Sequence, residues 1–175
     1  ANYYEDYKHD LLQAEQYHQI LVQQFLCQPS IEWYYQQSLS GPIEIFQSFR
    51  KHFALQSRQL EIQFTYAKIL FARGEIDESI GIMSKYVGEV SVRKWLEKHE
   101  SSCPQIRFQL AKLHAIGLCY PKNIDLAFNK YKALVEDDYL PALDALIQLA
   151  LENKFAEGFI CVAQLYENQL QDIDH

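Results

Sequence analysis

A chain of 175 residues, 49% apolar and 14% aromatic, is long enough to bury a sizeable core and too apolar to be disordered. Its 16 basic residues stand against 23 acidic ones, a formal charge of -7 with no basic run. That balance argues against a nucleic-acid binder, which needs positive charge to displace counterions, and equally against an anionic membrane surface. Six glycines and five prolines are too few for many short strands, so an all-α fold is expected. No apolar run approaches the roughly 20 residues that span a bilayer, so direct membrane insertion is not expected. No signal peptide is visible; since position 1 is Ala rather than Met, a processed or trimmed product is one expectation. Cys27, Cys103, Cys119 and Cys161 lie at least 16 residues apart, which leaves no local CxxC metal or redox spacing. Buried reduced thiols in a reducing, cytoplasmic compartment are the reading. Long-range disulfides in a periplasmic or secreted protein are the alternative.

Along the chain, Tyr4, Tyr7, Leu11, Ala14, Leu21 and Phe25 trace a helical stripe, with His18 between them. The helix should stop near Gln28-Pro29. Ser30 is expected to cap a short helix carrying Ile31, Trp33, Tyr34 and Tyr35. Ser40-Gly41-Pro42 breaks the chain, Pro42 suits a first helical turn, and Ile43, Ile45, Phe46, Phe49, Phe53 and Leu55 make the next helix. Leu60, Ile62, Phe64, Tyr66, Ala67, Leu70 and Phe71 form a helix that runs into Arg73-Gly74, where a left-handed glycine can close it. Asp77 and Glu78 then suit the exposed N–H groups of a following helix, which buries Ile76, Ile80, Met83 and Val87. Two amphipathic helices joined this tightly fold back as an antiparallel pair, and neighbours must cover its remaining faces. A further helix is expected through Val92, Trp95 and Leu96.

Tyr66-Ala67, Leu70, Gly74, Ile76, Ser79 and Met83 resemble a tetratricopeptide repeat: a large-small pair, a bulky residue, a turn glycine, then small and bulky positions on a second helix. Ser79 stands where Ala is usual. Ile106, Phe108, Leu110-Ala111, Leu113-His114 and Gly117, followed by Asn123, Ala127, Tyr131 and Ala142, are similar to a Sel-one-like repeat, and Ile106 to Ala142 spans 36 residues, the spacing of that family. Cys119-Tyr120-Pro121 replaces its glycine-rich turn, and Lys130 replaces an aromatic. A last unit starts at Ala142, turns near Asn153-Lys154 and continues through Phe155, Ala156, Ile160, Ala163 and Tyr166. The resemblance covers about residues 58–170. It implies a right-handed α-solenoid of antiparallel helix pairs with an N-terminal helical cap or lobe over 1–57, packed with 58–175 as one continuous domain. It also implies the bacterial settings common in the family: envelope, secretion or host contact.

Candidate chemistry is sparse. Glu15 and His18 have the ExxH spacing of di-iron bundles, but no second such motif exists and a half-buried, hydrogen-bonded histidine is the expected reading. Glu5 and His9 are an exposed helical pair, not a metal shell. His114 is expected in packing, His52 and His99 on the surface. No GxSxG, HExxH or phosphate-cradling glycine loop is present, so no enzyme, cofactor or metal is expected. Glu136-Asp137-Asp138 reads as a solvated turn. Among the twelve tyrosines, Tyr3, Tyr4, Tyr34, Tyr35 and Tyr139 stand at helix ends or turns and are the interface candidates.

The sequence thus points to a non-catalytic protein–protein interaction module, a scaffold or adaptor holding a peptide, helix or partner domain on a concave surface of first helices. Helical phase nominates Gln63, Lys68, Arg107, Lys112 and Gln148, with Tyr34, Tyr35 and Tyr139. An assembly or regulatory subunit, free or part of a longer chain, is the alternative, and a small-ligand sensor or helical enzyme a third. Dimerisation through the N-terminal helices is a further expectation.

Overall fold

A computed structural model describes the backbone of residues 2–173 and the side chains of residues 10–164 and Glu167. The side chains of Tyr3, Tyr4, Tyr7, the Glu5–His9 pair and Tyr166 lie outside the described residues. Ten α-helices and no strand occur among those described: α1 (Asn2–Phe25), α2 (Gln28–Ser40), α3 (Ile43–Phe49), α4 (Leu60–Ala72), α5 (Ile76–Met83), α6 (Val90–His99), α7 (Pro104–Ile116), α8 (Ile124–Glu136), α9 (Pro141–Asn153) and α10 (Ala156–Ile173). The chain is all-α, as its scarcity of turn residues requires. It divides into two compact units, residues 1–86 and 87–175. The boundary expected after residue 57 falls inside the first of these, where α2 packs on α4.

In the first unit, α2 is the centre, in contact with α1, α3 and α4. Its core joins Val22 of α1, Ile31 and Tyr34 of α2, Ile45, Phe46 and Phe49 of α3, and Ile62, Tyr66, Ile69 and Leu70 of α4. After α3 the helix widens for one turn, with the Leu55 N–H donating to the Arg50 carbonyl five residues back, and this turn buries Phe53 and Ala54. α1 ends at Phe25 because Leu26 takes a left-handed φ of 49° ahead of the proline. Ser30 does not cap α2. Cys27 precedes the helix, Pro29 sits in its first turn, and Ser30 is buried inside it.

α4 and α5 form the antiparallel pair read from Gly74. At φ 84° that glycine ends α4, with the Glu75 N–H bonded to the Leu70 carbonyl and its own N–H to Phe71. Ser79, fully buried against α4, donates to the Ala67 carbonyl at 2.7 Å, so a hydroxyl is tolerated where alanine would pack. The Tyr86 hydroxyl reaches back to the Arg58 carbonyl, which ties the far ends of the pair together.

The second unit repeats this local grammar. Gly117 (φ 75°) closes α7 as Gly74 closes α4, with the Leu118 N–H on the Leu113 carbonyl. Asn123 caps α8 through the Leu126 N–H, and the ion pair of Arg107 with Asp137 at 2.7 Å joins the start of α7 to the end of α8, fixing them antiparallel. Asp138 (φ 60°) and Lys154 (φ 50°) make the same left-handed exit from α8 and α9 without glycine. Ala111, Ala127, Tyr131, Leu134, Ala142, Leu146, Leu149 and Cys161 build the shared core of α7–α10. The helices meet closely at small residues: a Cβ on Gly158 would stand 2.7 Å from the Ala150 Cβ.

Candidate functional site

In the second unit, α7 and α9 stand as two walls over α8 and leave an open groove of about 340 Å³ between them. Phe108, Lys112, Ala115 and Ile116 form the α7 wall; Pro141, Asp144, Ala145, Gln148, Leu149 and Glu152 form the α9 wall; Tyr131 is the floor. Each wall follows from helical period. Phe108, Lys112 and Ala115 recur at steps of four and three, and Asp144, Gln148 and Glu152 at steps of four, which puts each set on one helix face.

The lining is apolar with a few polar side chains along its lips. Tyr131 is buried among Phe108 and its neighbours, ring centroids 5.5 Å apart, and burial pushes its phenol up to about 12. The Lys112 ammonium lies 5.9 Å from the Phe108 ring centre, a loose cation–π contact. Asp144 and Glu152, eight residues apart on α9, sit about 12 Å from one another along the helix. Both are exposed, and no cation among the described residues is seen to pair with either.

The sequence-nominated residues separate into three groups. Lys112 and Gln148 line the groove. Tyr139 and Arg107 flank it: Tyr139 is half-buried against Phe108, centroids 5.6 Å apart, and Arg107 is engaged by Asp137. Gln63, Lys68, Tyr34 and Tyr35 belong to the first unit. Lys68 lies over the rings of Tyr35 (4.7 Å) and Phe64 (5.3 Å), where burial lowers its pKa and Glu32 opposes the shift. Gln63 is not free on the helix surface; its amide donates to the Ala54 and Ser57 carbonyls at 2.6 and 2.7 Å and ties down the turn before α4.

Tyr34 has to be corrected. It is fully buried, packed against Trp33, Phe49 and Phe53, so it cannot meet a partner. Its hydroxyl donates to Glu15 Oε1 at 2.5 Å, and Ser48 donates to the same oxygen at 2.7 Å. The aromatic Trp33-Tyr34-Tyr35 run gave no sign of which ring faced inward; only the packing of α1 and α3 on α2 decides it. The ExxH pair does not converge either. Glu15 faces Tyr34 and Ser48, while the His18 ring stacks on Trp33 at 4.2 Å with Nδ1 3.0 Å from the Ser30 hydroxyl. Burial lowers the His18 pKa, against the pull of Glu15.

Sequence reasoning missed Phe108, Ala115, Ile116, Tyr131, Pro141, Asp144, Ala145, Leu149 and Glu152 as groove residues. The four-residue recurrence of Asp144 and Glu152 around Gln148 was the available signal. All four thiols are free, Cys103 and Cys161 buried, Cys27 half-buried and Cys119 exposed. No helix among the described residues is long and apolar enough to cross a membrane. The chain matches no protein-family model, no curated protein and no solved structure.

Proposed function

We propose that the protein is a non-catalytic interaction module, built of tetratricopeptide- and Sel-one-like helix pairs in the α-solenoid manner, whose α7–α9 groove holds a short segment of a protein partner. The observation that carries this reading is the groove itself: an α7 wall and an α9 wall over a Tyr131 floor, lined by Phe108, Ala115, Ile116, Ala145 and Leu149 with Lys112, Asp144, Gln148 and Glu152 among them. A segment lying in it would place apolar side chains on the floor, and the unpaired Asp144 and Glu152 favour Arg or Lys on its α9 side. A small-molecule sensor is the second reading, favoured by a volume within the range of ligand pockets. The openness of the groove speaks for the peptide, since small ligands are usually enclosed over most of their surface.

The test is to pan a random peptide library on the intact chain and counter-select on a double variant, Gln148→Trp with Ile116→Lys. Both positions are exposed, so the fold should stand. Enriched peptides with regularly spaced apolar residues and flanking Arg or Lys, bound at least about tenfold more weakly by the variant, support the proposal. Peptides that bind both proteins equally, or no enrichment, contradict it. Large melting-temperature shifts in a metabolite panel, abolished by the same variant, would favour the sensor.

A further inference from the structure

We propose that the segment held in the α7–α9 groove is an amphipathic α-helix, with an apolar stripe on its inner side and basic residues along the edge that meets α9. This rests on the reading of the groove as a seat for a protein segment, and adds the conformation and charge pattern of the occupant. α7 and α9 both pack on α8, and the groove is the gap between them above it. A gap between two helices that rest on a third is a seat that a further helix fills by ordinary ridge-into-groove packing. The α7 wall from Phe108 to Ile116 is about 12 Å long, the rise of two helical turns. Ala115 and Ala145, one in each wall, are small enough to let a backbone come close.

Backbone hydrogen bonding separates a helix from an extended segment here. Every residue of an occupant carries a C=O and, proline apart, an N–H, and these need partners once water is excluded. Both walls are helices, so most of their own N–H and C=O groups are spent along their length. The lining holds a single side-chain amide, Gln148, and Pro141 has no N–H to give. An extended strand would therefore bury several backbone groups without partners, whereas a helix satisfies its own. The charges then set the pattern. Asp144 and Glu152 stand exposed on α9, and the exposed Lys112 is the cation of the opposite wall. Basic residues seven or eight apart on a helix span about 10–12 Å, which matches the two carboxylates. An acid on the other edge of the same helix would meet Lys112.

Two synthetic peptide libraries of about 18 residues test this, made of the same apolar residues, Arg and Glu. In one, the apolar positions follow three- and four-residue steps with Arg seven apart; in the other, apolar and polar positions alternate. Fluorescence anisotropy against the intact chain reads the affinity. The best helix-patterned peptides should bind at least about tenfold more tightly than the best alternating ones. Proline at one outward-facing position in mid-peptide should weaken them at least about tenfold, while alanine there changes binding less than about twofold. Asp144→Lys with Glu152→Lys should weaken the Arg peptides and strengthen those in which Glu replaces Arg, which general attraction to an acidic chain would not do for scrambled peptides of equal charge. Alternating peptides that bind better, a harmless proline, or indifference to the charge exchange overturns the helix while leaving the groove as a peptide seat. Binding that survives Gln148→Trp with Ile116→Lys overturns both. If neither library binds, the helix is overturned, and the random-library panning decides separately whether the groove holds any segment.

Discussion

Replacing Tyr34 by Phe removes one oxygen from the middle of the first unit and nothing else. The ring is fully buried and its contacts with Trp33, Phe49 and Phe53, at centroid distances of 5.2, 5.0 and 5.4 Å, survive the change. What disappears is the 2.5 Å hydrogen bond to Glu15, leaving that buried carboxylate with Ser48 as its remaining hydroxyl donor. A hydrogen bond to a charged acceptor contributes about 1.5–3 kcal/mol, so a loss near 2 kcal/mol is expected. For a unit of this size that corresponds to a drop of roughly 8–16 °C in melting temperature. Urea unfolding followed by Trp33 fluorescence, in a Trp95→Phe background, isolates the first unit. Adding Glu15→Gln should make the two changes non-additive by on the order of 1 kcal/mol, since both act on one bond. A Tyr34→Phe chain within about 0.5 kcal/mol of its parent would refute the reasoning. So would one that keeps its stability and loses partner binding.

Other expectations are smaller or of opposite sign. Gly158→Ala sits in a helix, where alanine should help by about 1 kcal/mol, but the added Cβ would lie 2.7 Å from Ala150. The clash should win, with a net loss of about 1–3 kcal/mol by thermal or urea denaturation. Stability should fall as the pH drops from about 6.5. Burial lowers the pKa of both His18 and His114 (Lys130 adding to the effect at His114), so the unfolded chain takes up protons before the folded one. The double variant His18→Gln/His114→Gln should flatten that part of a melting-temperature profile. Arg107→Ala breaks an ion pair whose aspartate is largely exposed, and the change in melting free energy should stay under about 1 kcal/mol.

The helices were legible because their period and punctuation are local. Gly74 and Gly117 take the left-handed geometry that only a missing Cβ makes easy, and both end the helices that their flanking apolar stripes begin. Asp138 and Lys154 make the same exit without glycine and carried no such mark. The small-residue positions were legible too, down to Ser79, whose hydroxyl finds the Ala67 carbonyl. Two of the eleven groove residues could be read from helical phase: Lys112 and Gln148 point where the period of α7 and α9 sends them. The floor could not, because Tyr131 comes from a helix between them in sequence, and depth is a property of three packed helices. The structural roles of Tyr34 and Gln63 were hidden for a related reason. Their partners, Glu15 and Ser48 for one and the Ala54 and Ser57 carbonyls for the other, are set by how the widened turn and α1 close around α2 and α4.

A nuclear magnetic resonance titration of the isotope-labelled chain with the best-enriched peptide tests the groove most directly. Shift changes should concentrate on Phe108, Lys112, Ala115, Ala145, Gln148 and Glu152, and weaken when Asp144 and Glu152 are replaced by lysine. Changes confined to other surfaces, or indifferent to that replacement, would contradict the account.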